Sequence, residues 1–502
     1  MRSKPAPPPD QVAEADQTAV DGWTRPKVIL TAGLMACLLM SAMDSTIVGT
    51  ALPTIAGQLG DASLYSWVVS AYLLTGTTTV PVWGRLADHL GRKRILLIGL
   101  TLFVAGSLLC GLAPSMLALV LFRGLQGIGA GCLQPIAMTV IGDVFPLEQR
   151  ARVQGLFSGM WGLAAVLGPL LGALFVATIG WRWIFDVNLP IGLVSAVLVL
   201  SYREHVQRRG GRRLDFAGAA LLTAAVALIL YGLSSTVGRG SGPTWGLMFG
   251  GLLLLTVFLV RSRGRHEAIV PLWLIADRVI GPAMAATVLG GALMFVCTTY
   301  APLYVQGVLG GTAINAGFAV APMSIGWPLA AVVGGRILIR VGYRALAVTG
   351  ALAIIPSSLM LYATSAALGQ LWISASMLFI GIGLGLLLTP LLVAVQDAVN
   401  WQNRGAVTAL NQFSRTMGGV VFVSSLGLML QAQEVGRIRL ISAALDPVTR
   451  ARLSAGTLAQ ATAALNSGLH LIFAAVVVMS LALLIAALFS PSGIGSRSRP
   501  GA

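Results

Sequence analysis

Charged residues are scarce in this chain. Only 10% of its 502 residues are Asp, Glu, Lys or Arg, whereas soluble proteins carry about 25%. Hydrophobic residues make up 56% of the sequence. Apolar runs of about 20 residues recur along it, which is the length that crosses a bilayer as an α-helix. The sequence therefore predicts an all-α polytopic membrane protein and excludes a pair of soluble domains.

Cysteine and histidine are also rare, which restricts the chemistry of the chain. The four cysteines lie within apolar runs and show neither metal nor disulfide spacing: Cys37, Cys110, Cys132 and Cys297. Of the four histidines, His89, His205 and His266 fall in predicted loops, and His470 lies near the start of the last apolar run, at its predicted outer edge. Metal sites and Ser/His/Asp triads need such residues in clusters. We therefore expect neither a metal site nor enzymatic activity.

Acidic residues number 17 against 33 basic ones, which gives a net charge of +16. Nucleic-acid binding would require the basic residues to share one face or stripe. Here they are scattered through short segments between apolar runs, as the excess of Lys and Arg in cytoplasmic loops of membrane proteins predicts. We expect no nucleic-acid partner.

Fourteen apolar segments are predicted to be transmembrane helices. They are residues 28–50, 64–83, 95–112, 115–140, 152–178, 184–202, 215–233, 245–261, 279–304, 313–334, 345–364, 369–396, 405–431 and 467–490. If the N-terminus is cytoplasmic, the alternating segments place 25 basic residues inside and 6 outside. This asymmetry predicts that both termini are cytoplasmic.

The order of the segments predicts an arrangement of six, two and six helices. Its parts are a disordered cytoplasmic tail (1–27), an N-terminal six-helix bundle (28–202), a cytoplasmic loop (203–214), two extra linker helices (215–261), a C-terminal six-helix bundle (279–490) that includes a long outer loop (432–466), and a second cytoplasmic tail (491–502).

A charged loop, "GRLADHLGRKR" (84–94), lies between the second and third predicted helices. A shift of 251 residues aligns its first part with "GRILIRVGY" (335–343), which shares Gly-Arg and, six residues later, Gly. Both copies fall on the predicted cytoplasmic side. Repeats on the same side indicate two parallel halves, related by an axis along the membrane normal.

Five motifs carry a resemblance to a known family. "GRLADHLGRKR" resembles the signature loop of the major facilitator superfamily. "MDSTIVGTALP" (43–53), "LFRGLQGIGAG" (121–131), "GLAAVLGPLLGA" (162–173) and "WRWIFDVNLPIG" (181–192) resemble motifs of its fourteen-helix drug:proton antiporters. The resemblance covers about residues 25–490. It implies a monomeric, multi-pass protein of the inner (plasma) membrane that exports drugs or quaternary ammonium compounds.

Asp44 is the only acid well inside a predicted helix. At about 1.5 Å per residue, Asp44 and Arg123 lie roughly 9 and 12 Å from the predicted outer edge, so the two charges could pair. A charge inside a membrane is costly and usually functional. We predict that Asp44 and Arg123 couple transport to protons, a role that the resemblance also implies. The alternative is a static ion pair that fixes helix packing.

The charged loop is predicted to be an inner-gate latch that holds the two halves together. We define the latch by Gly84, Arg85, Asp88, Gly91 and Arg92. Glycines permit tight turns, and Asp88 can meet a helix N-terminus or an arginine. The second copy has Ile339 in place of Asp88, so the latch is asymmetric. The alternative is a basic loop that only sets topology and contacts lipid headgroups.

The segment that holds Gly168, Pro169 and Gly172 resembles an antiporter motif and is predicted to bend its helix between the moving halves. A passive kink is the alternative.

Six residues are candidates for the wall of a substrate cavity: Gln126, Trp161, Asp186, Asn188, Asn411 and Arg415. Gln126 lies three residues after Arg123 on the same helix face and could instead hydrogen-bond to it. Asp186 and Asn188 could instead cap a helix or bond to a loop, and Trp161 could face lipid or the core. Arg415 could bind an anionic group or face a carboxylate across the cleft.

The glycines Gly127, Gly129 and Gly131 are predicted to allow close helix packing. No Walker-type lysine follows them, so we expect no ATP site and no cofactor, and the proton gradient as the energy source.

The sequence leaves three kinds of transport open. The first is proton-coupled export of amphipathic compounds, cationic drugs among them. The second is dedicated export of a secondary metabolite, siderophore, amino acid or lipid-like molecule. The third is proton symport.

Overall fold

The computed structural model describes residues 24–59, 64–202, 215–236, 242–265, 272–433 and 453–490. Within these ranges the chain is helical, with sixteen α-helices and a short 3-10 turn. The helices are α1 (Arg25–Leu59), α2 (Tyr65–Leu90), α3 (Arg92–Gly111), α4 (Met116–Val144), α5 (Leu147–Thr178), α6 (Trp183–Asp186), α7 (Asn188–Leu200), α8 (Phe216–Thr236), α9 (Gly242–Ser262), α10 (Leu272–Ala276), α11 (Ile280–Gly307), α12 (Ala313–Val341), α13 (Tyr343–Tyr362), α14 (Gly369–Asp397), α15 (Arg404–Gln433) and α16 (Ala455–Leu488).

Every predicted span contains a helix, and the sixth is divided into α6 and α7. Among the described residues, ten helices are long and apolar enough to cross a membrane, and α8 and α9 contain shorter apolar stretches. The all-helical prediction is confirmed. The count of fourteen crossings and their grouping as six, two and six stay predictions.

Several predicted boundaries differ from the structure. Helix α2 continues to Leu90 and α3 begins at Arg92, so the predicted charged loop 84–94 is helical except at Gly91. Helix α1 begins at Arg25, so the last residues of the predicted tail 1–27 are helical. Helix α16 begins at Ala455, so the end of the predicted outer loop 432–466 is also helical. Ser454 caps α16 by accepting a hydrogen bond from the Thr457 amide (3.2 Å), and the Ala-rich first turns favour a helix. Residues 1–23, 203–214, 434–452 and 491–502 lie outside the described ranges.

Contacts between helices divide into two groups and a pair. Helices α1 to α7 pack mainly on one another, and α11 to α16 do the same. The two groups meet chiefly where α5 contacts α12 and where α2 contacts α15. Helices α8 and α9 pair with each other, and α8 also contacts α2 and α15.

The internal repeat is visible in the backbone. Gly91 joins α2 to α3 with φ +95°, and Gly342 joins α12 to α13 with φ +83°. Both conformations lie in the region that favours glycine, so each repeat turns at its glycine. The side chains differ between the copies, because Asp88 is buried whereas Ile339 is 44% exposed.

The glycines of α4 let three helices pack at backbone distance. A Cβ on Gly127 would collide with the Tyr72 carbonyl of α2, and one on Gly131 with the Gly76 carbonyl. A Cβ on Gly129 would collide with α3, where the Gly99 oxygen lies 2.7 Å from its position. The predicted packing role of these glycines is confirmed.

A leucine at Gly129 should separate α3 from α4 and lower stability, because overpacking a core costs about 1–3 kcal/mol or more. We expect a lower thermal unfolding temperature for Gly129→Leu in detergent. The matched control is Gly317→Leu on α12, where nothing lies within 4 Å of the added Cβ. Equal unfolding temperatures for the two variants would contradict the packing role.

Candidate functional site

A buried network surrounds Asp44. Helix α1 supplies Asp44, α4 supplies Arg123 and Gln126, and α7 supplies Asn188. Arg123 Nη1 donates to Asp44 Oδ2 (2.7 Å), while Gln126 Nε2 (2.9 Å) and Asn188 Nδ2 (3.0 Å) donate to Asp44 Oδ1. Asp44, Gln126 and Asn188 are completely buried, and Arg123 is 1% exposed. The carboxylate thus accepts hydrogen bonds from one charged and two neutral donors.

A second layer fixes these donors. Asn188 Nδ2 also donates to Ser107 Oγ on α3 (2.9 Å). Arg123 Nη1 donates to Gln126 Oε1 (2.8 Å), and Arg123 Nε donates to the Val68 carbonyl (3.3 Å). The guanidinium also lies over the Tyr72 ring, 4.0 Å from its centre, where the electron-rich face stabilises the cation. Five helices therefore hold one ion pair.

The structure pairs Asp44 with Arg123, as their predicted depths suggested. Gln126 and Asn188 were predicted in the cavity wall. The structure instead places them around Asp44, where their side-chain amides donate to the buried carboxylate. Ser107 and Tyr72 were missed by the sequence reasoning. A serine and a tyrosine in apolar helices gave no signal that would have distinguished them.

The latch joins the two halves through a helix N-terminus. Asp88, on the last turn of α2, accepts hydrogen bonds from the amides of Gly405 (2.9 Å) and Ala406 (2.7 Å). These are among the first amides of α15 and have no partner within that helix. The carboxylate therefore satisfies them and also meets the positive end of the helix dipole.

Arginines extend the latch to a second acid. Arg92 contacts Asp88 (2.9 Å) and also Asp143 at the end of α4 (Nε to Oδ2, 3.0 Å). Arg404 at the start of α15 contacts the same Asp143 (3.1 Å). Arg92 lies over the Trp401 ring, 3.8 Å from its centre, and donates to the Trp401 carbonyl (2.6 Å).

The remaining latch residues bring the backbones together. A Cβ on Gly84 would collide with Ala409, and the Gly405 oxygen lies 2.6 Å from its position. Arg85 Nη1 donates to Asn403 Oδ1 (3.3 Å). Asp143, Trp401 and Arg404 were missed as partners of the latch, since as residues near helix ends they are indistinguishable in sequence from topogenic charges and interfacial aromatics.

A central cavity lies between the two groups of helices. Met138 and Gln154 line it from α4 and α5. Its other lining residues come from α11, α12, α14 and α15: Thr287, Trp327, Leu388, Thr389, Leu392, Asn411, Gln412 and Arg415. The structure thus places the predicted Asn411 and Arg415 in this wall.

Two other predicted cavity residues lie elsewhere. Trp161 is 41% exposed on α5 and does not belong to the lining of the central cavity. Asp186 ends the short helix α6, and its Oδ1 is 2.7 Å from where a Cβ on Gly111 of α3 would be. Both positions follow from the helix faces that carry them, which the predicted spans did not resolve.

The predicted bend region packs closely against α1. Helix α5 is continuous from Leu147 to Thr178 and therefore runs unbroken through Pro169. A Cβ on Gly168 would collide with Thr46, whose hydroxyl donates to the Ala164 carbonyl (3.0 Å). Gly172, one turn later, is buried. The close helix contact is present, and a bend between moving halves stays a prediction.

Two helix groups, an enclosed ion pair and a cavity between the groups define a multi-pass membrane transporter. The chain belongs to the Major Facilitator Superfamily, whose model matches residues 34–423.

Similar proteins indicate which kind of transporter within this superfamily the chain resembles. The chain is 35% identical to the multidrug transporter protein MdtP of Bacillus subtilis over 416 residues, which covers 82% of this chain and 77% of that protein. It is 33% identical to multidrug resistance protein 3 of the same organism over 398 residues, 79% of this chain and 78% of that protein. The resemblance to a drug-efflux family is thereby confirmed, and the protein is a transporter of small molecules, not an enzyme.

Solved structures support the fold. The crystal structure of the human organic anion transporter MFSD10 (TETRAN) matches with a TM-score of 0.60, covering 91% of this chain and all of the other. Because the sequence identity is 15%, this likeness concerns the fold alone.

Removing Arg123 should leave the Asp44 carboxylate buried and unpaired, which costs about 3–5 kcal/mol. We expect Arg123→Gln to unfold at a lower temperature in detergent, and the double variant Asp44→Asn/Arg123→Gln to recover part of that loss. Thermal unfolding of the two single variants and the double variant forms the required cycle. Simple additivity of the two effects would contradict direct pairing.

Proposed function

We propose that this protein is a proton-coupled antiporter that exports amphipathic toxic compounds by alternating access. The observation that carries the proposal is the Asp44 network, an acid completely enclosed in a transporter. A lone enclosed carboxylate has two states, charged with its donors in place and neutral with its proton. Relatives named as multidrug transporters support drugs or similar compounds as cargo.

Protonation of Asp44 would rearrange its surroundings. The neutral carboxyl no longer attracts Arg123, whose remaining acceptors here are the Val68 carbonyl and Gln126 Oε1. Since Asp44, Arg123 and Asn188 belong to α1, α4 and α7, each state favours a different packing of these helices. A ligand that prefers one packing shifts the balance between the states, and so does a proton. Because the ligand and the proton both shift this balance, the transport of one is coupled to the transport of the other.

The latch supplies the gate. It closes the predicted cytoplasmic end by joining α2 and α4 to α15. Next to it, Gln154 of α5 donates to Gln396 of α14 (3.3 Å), and a Cβ on Gly155 would lie 2.8 Å from Val332 of α12. Opening toward the cytoplasm requires these contacts to separate, which makes the described state inward-closed.

The proposal includes the membrane arrangement that the sequence predicts. The protein acts as a monomer in the inner (plasma) membrane, with fourteen crossings and both termini cytoplasmic. Its energy source is the proton gradient, and it uses neither ATP nor a bound cofactor. The basic residues at the latch end support this orientation.

Proton coupling is tested in energised everted vesicles with a pH-sensitive dye and a panel of amphipathic compounds. At least one compound should release protons with the wild type, and Asp44→Asn should abolish that release, because the amide cannot carry the proton.

The matched control is Asp215→Asn, which removes an acid that caps α8 and pairs with Arg261 (3.0 Å), away from the network. It should behave as wild type. A substrate-driven proton signal that survives in Asp44→Asn would show that Asp44 only stabilises the fold.

The latch is tested by distance measurements between spin labels at Leu90 and Ile339, two exposed positions near the latch end of either half. Asp88→Asn weakens the hold on α15, by about 1–2 kcal/mol for a partly buried charge at a helix end. We expect a population with longer distances that the unsubstituted latch lacks.

Arg94→Gln serves as the control, since Arg94 belongs to the same charged segment, in the first turn of α3, but is exposed. It should leave the distance distribution unchanged. Identical distributions for Asp88→Asn and the control would mean that the latch does not determine which state is populated.

A further inference from the structure

The central cavity carries an arginine, Arg415, that has no counter-ion among the residues that the structure describes. Among the ten residues that line it, Arg415 is the one charged side chain. Its Nε is shielded from solvent and has no hydrogen-bond partner. Trp327, 9% exposed, lines the same cavity, and its buried Nε1 also lacks a partner. Two donors of one site are therefore left without acceptors, which in a buried environment is costly.

Close packing fixes the backbone beneath Arg415. A Cβ on Gly291 of α11 would collide with the Arg415 carbonyl, and one on Gly418 would collide with Val288 of the same helix. One turn before, Asn411 Nδ2 donates to Thr287 Oγ1 (2.9 Å). These contacts tie α15 to α11 on both sides of Arg415, so the guanidinium extends from a rigid base.

The acids near the interior are engaged elsewhere. Asp44 is completely buried among its own donors, and Asp88 and Asp143 belong to the latch contacts. Among the acids whose side chains the structure describes, none lines the cavity or pairs with Arg415. Among the described residues the acceptor that would complete this site is missing, and an anionic ligand can supply it.

We propose that the cavity binds the carboxylate, or an equivalent monoanionic group, of an amphipathic substrate. The anionic group pairs with Arg415 and accepts from Trp327 Nε1, while the apolar body contacts Met138, Leu388 and Leu392. A quaternary ammonium group would instead meet a positive charge at short range, with nothing on the described wall to neutralise it. This substrate class rests on the proposed export function.

An anionic cargo also changes the electrical balance of the exchange. A monocation leaving in exchange for one entering proton moves no net charge. A monoanion leaving against one proton moves two charges in the same electrical sense. The membrane potential then drives export together with the proton gradient.

The test compares three probes that share one apolar body: pyrenebutanoate, pyrenebutanol and pyrenebutyl-trimethylammonium. Their binding to the purified full chain in detergent is followed by fluorescence. The wild type should bind the carboxylate roughly tenfold or more tightly than the alcohol, and the ammonium compound most weakly.

Arg415→Gln should weaken carboxylate binding by roughly tenfold to a hundredfold and leave alcohol binding unchanged. Arg415→Lys, which keeps the charge, should recover part of the loss. Trp327→Phe removes a single N–H group, and should weaken the carboxylate by several-fold but not the alcohol. The matched control is Arg340→Gln, an exposed arginine on α12. It should match the wild type.

Three results would overturn the inference: no binding of the carboxylate by the wild type, ammonium binding at least as tight as carboxylate binding, or an equal loss of carboxylate and alcohol binding in Arg415→Gln. Binding in detergent does not depend on proton coupling. If the carboxylate binds but no compound releases protons in vesicles, the coupling proposal fails and the substrate class stands. If ammonium dyes release protons and the carboxylate does not bind, the coupling proposal stands and the anionic substrate class fails.

Discussion

Specific hydrogen-bond donors meet the two buried carboxylates around which this structure is organised, Asp44 and Asp88. Asp44 has three donors and no exposed surface. Asp88 has two amides of α15 and Arg92. These pairings require helices from distant parts of the sequence to be in contact. The same electrostatic requirement therefore shapes the N-terminal half around one carboxylate and joins the halves at the other.

The two carboxylates differ in what moves if they are neutralised. The residues that contact Asp44 all belong to the N-terminal half, so a change of charge at Asp44 repacks helices within that group. The hydrogen bonds of Asp88 with α15 cross the boundary between the halves, so a change of charge at Asp88 releases one half from the other. In the proposed antiport, the first response would sense the proton and the second would gate the cavity.

Much of this could be predicted from residue patterns, because hydrophobic length and charge asymmetry are properties of single segments. The repeat predicted equivalent turns at Gly91 and Gly342, and a depth argument predicted the Asp44–Arg123 pair. The hydrogen bond between Arg123 and Gln126 was one of two predicted alternatives, and the structure contains it. The contacts of Gln126 and Asn188 with Asp44 were not predicted, since the choice between a carboxylate and a cavity depends on helix rotation. Trp401 and Trp327 gave no signal, as aromatic residues in apolar chains serve many purposes. Distant contacts such as Arg404 with Asp143 become visible only when the helices are assembled.

Helix α8 covers one of the two seams where the halves meet. Along α2 it stacks Tyr231 on Trp67 (5.2 Å between ring centres) and brings Thr223 to the Thr78 carbonyl (3.5 Å), and it also contacts α15. It thus lies beside the seam where α2 meets α15 and shields that seam from acyl chains. The seam between α5 and α12 has no such cover from α8 or α9 among the described helix contacts. The two seams between the halves therefore differ among the described contacts, and the one between α5 and α12 is the seam that neither α8 nor α9 covers.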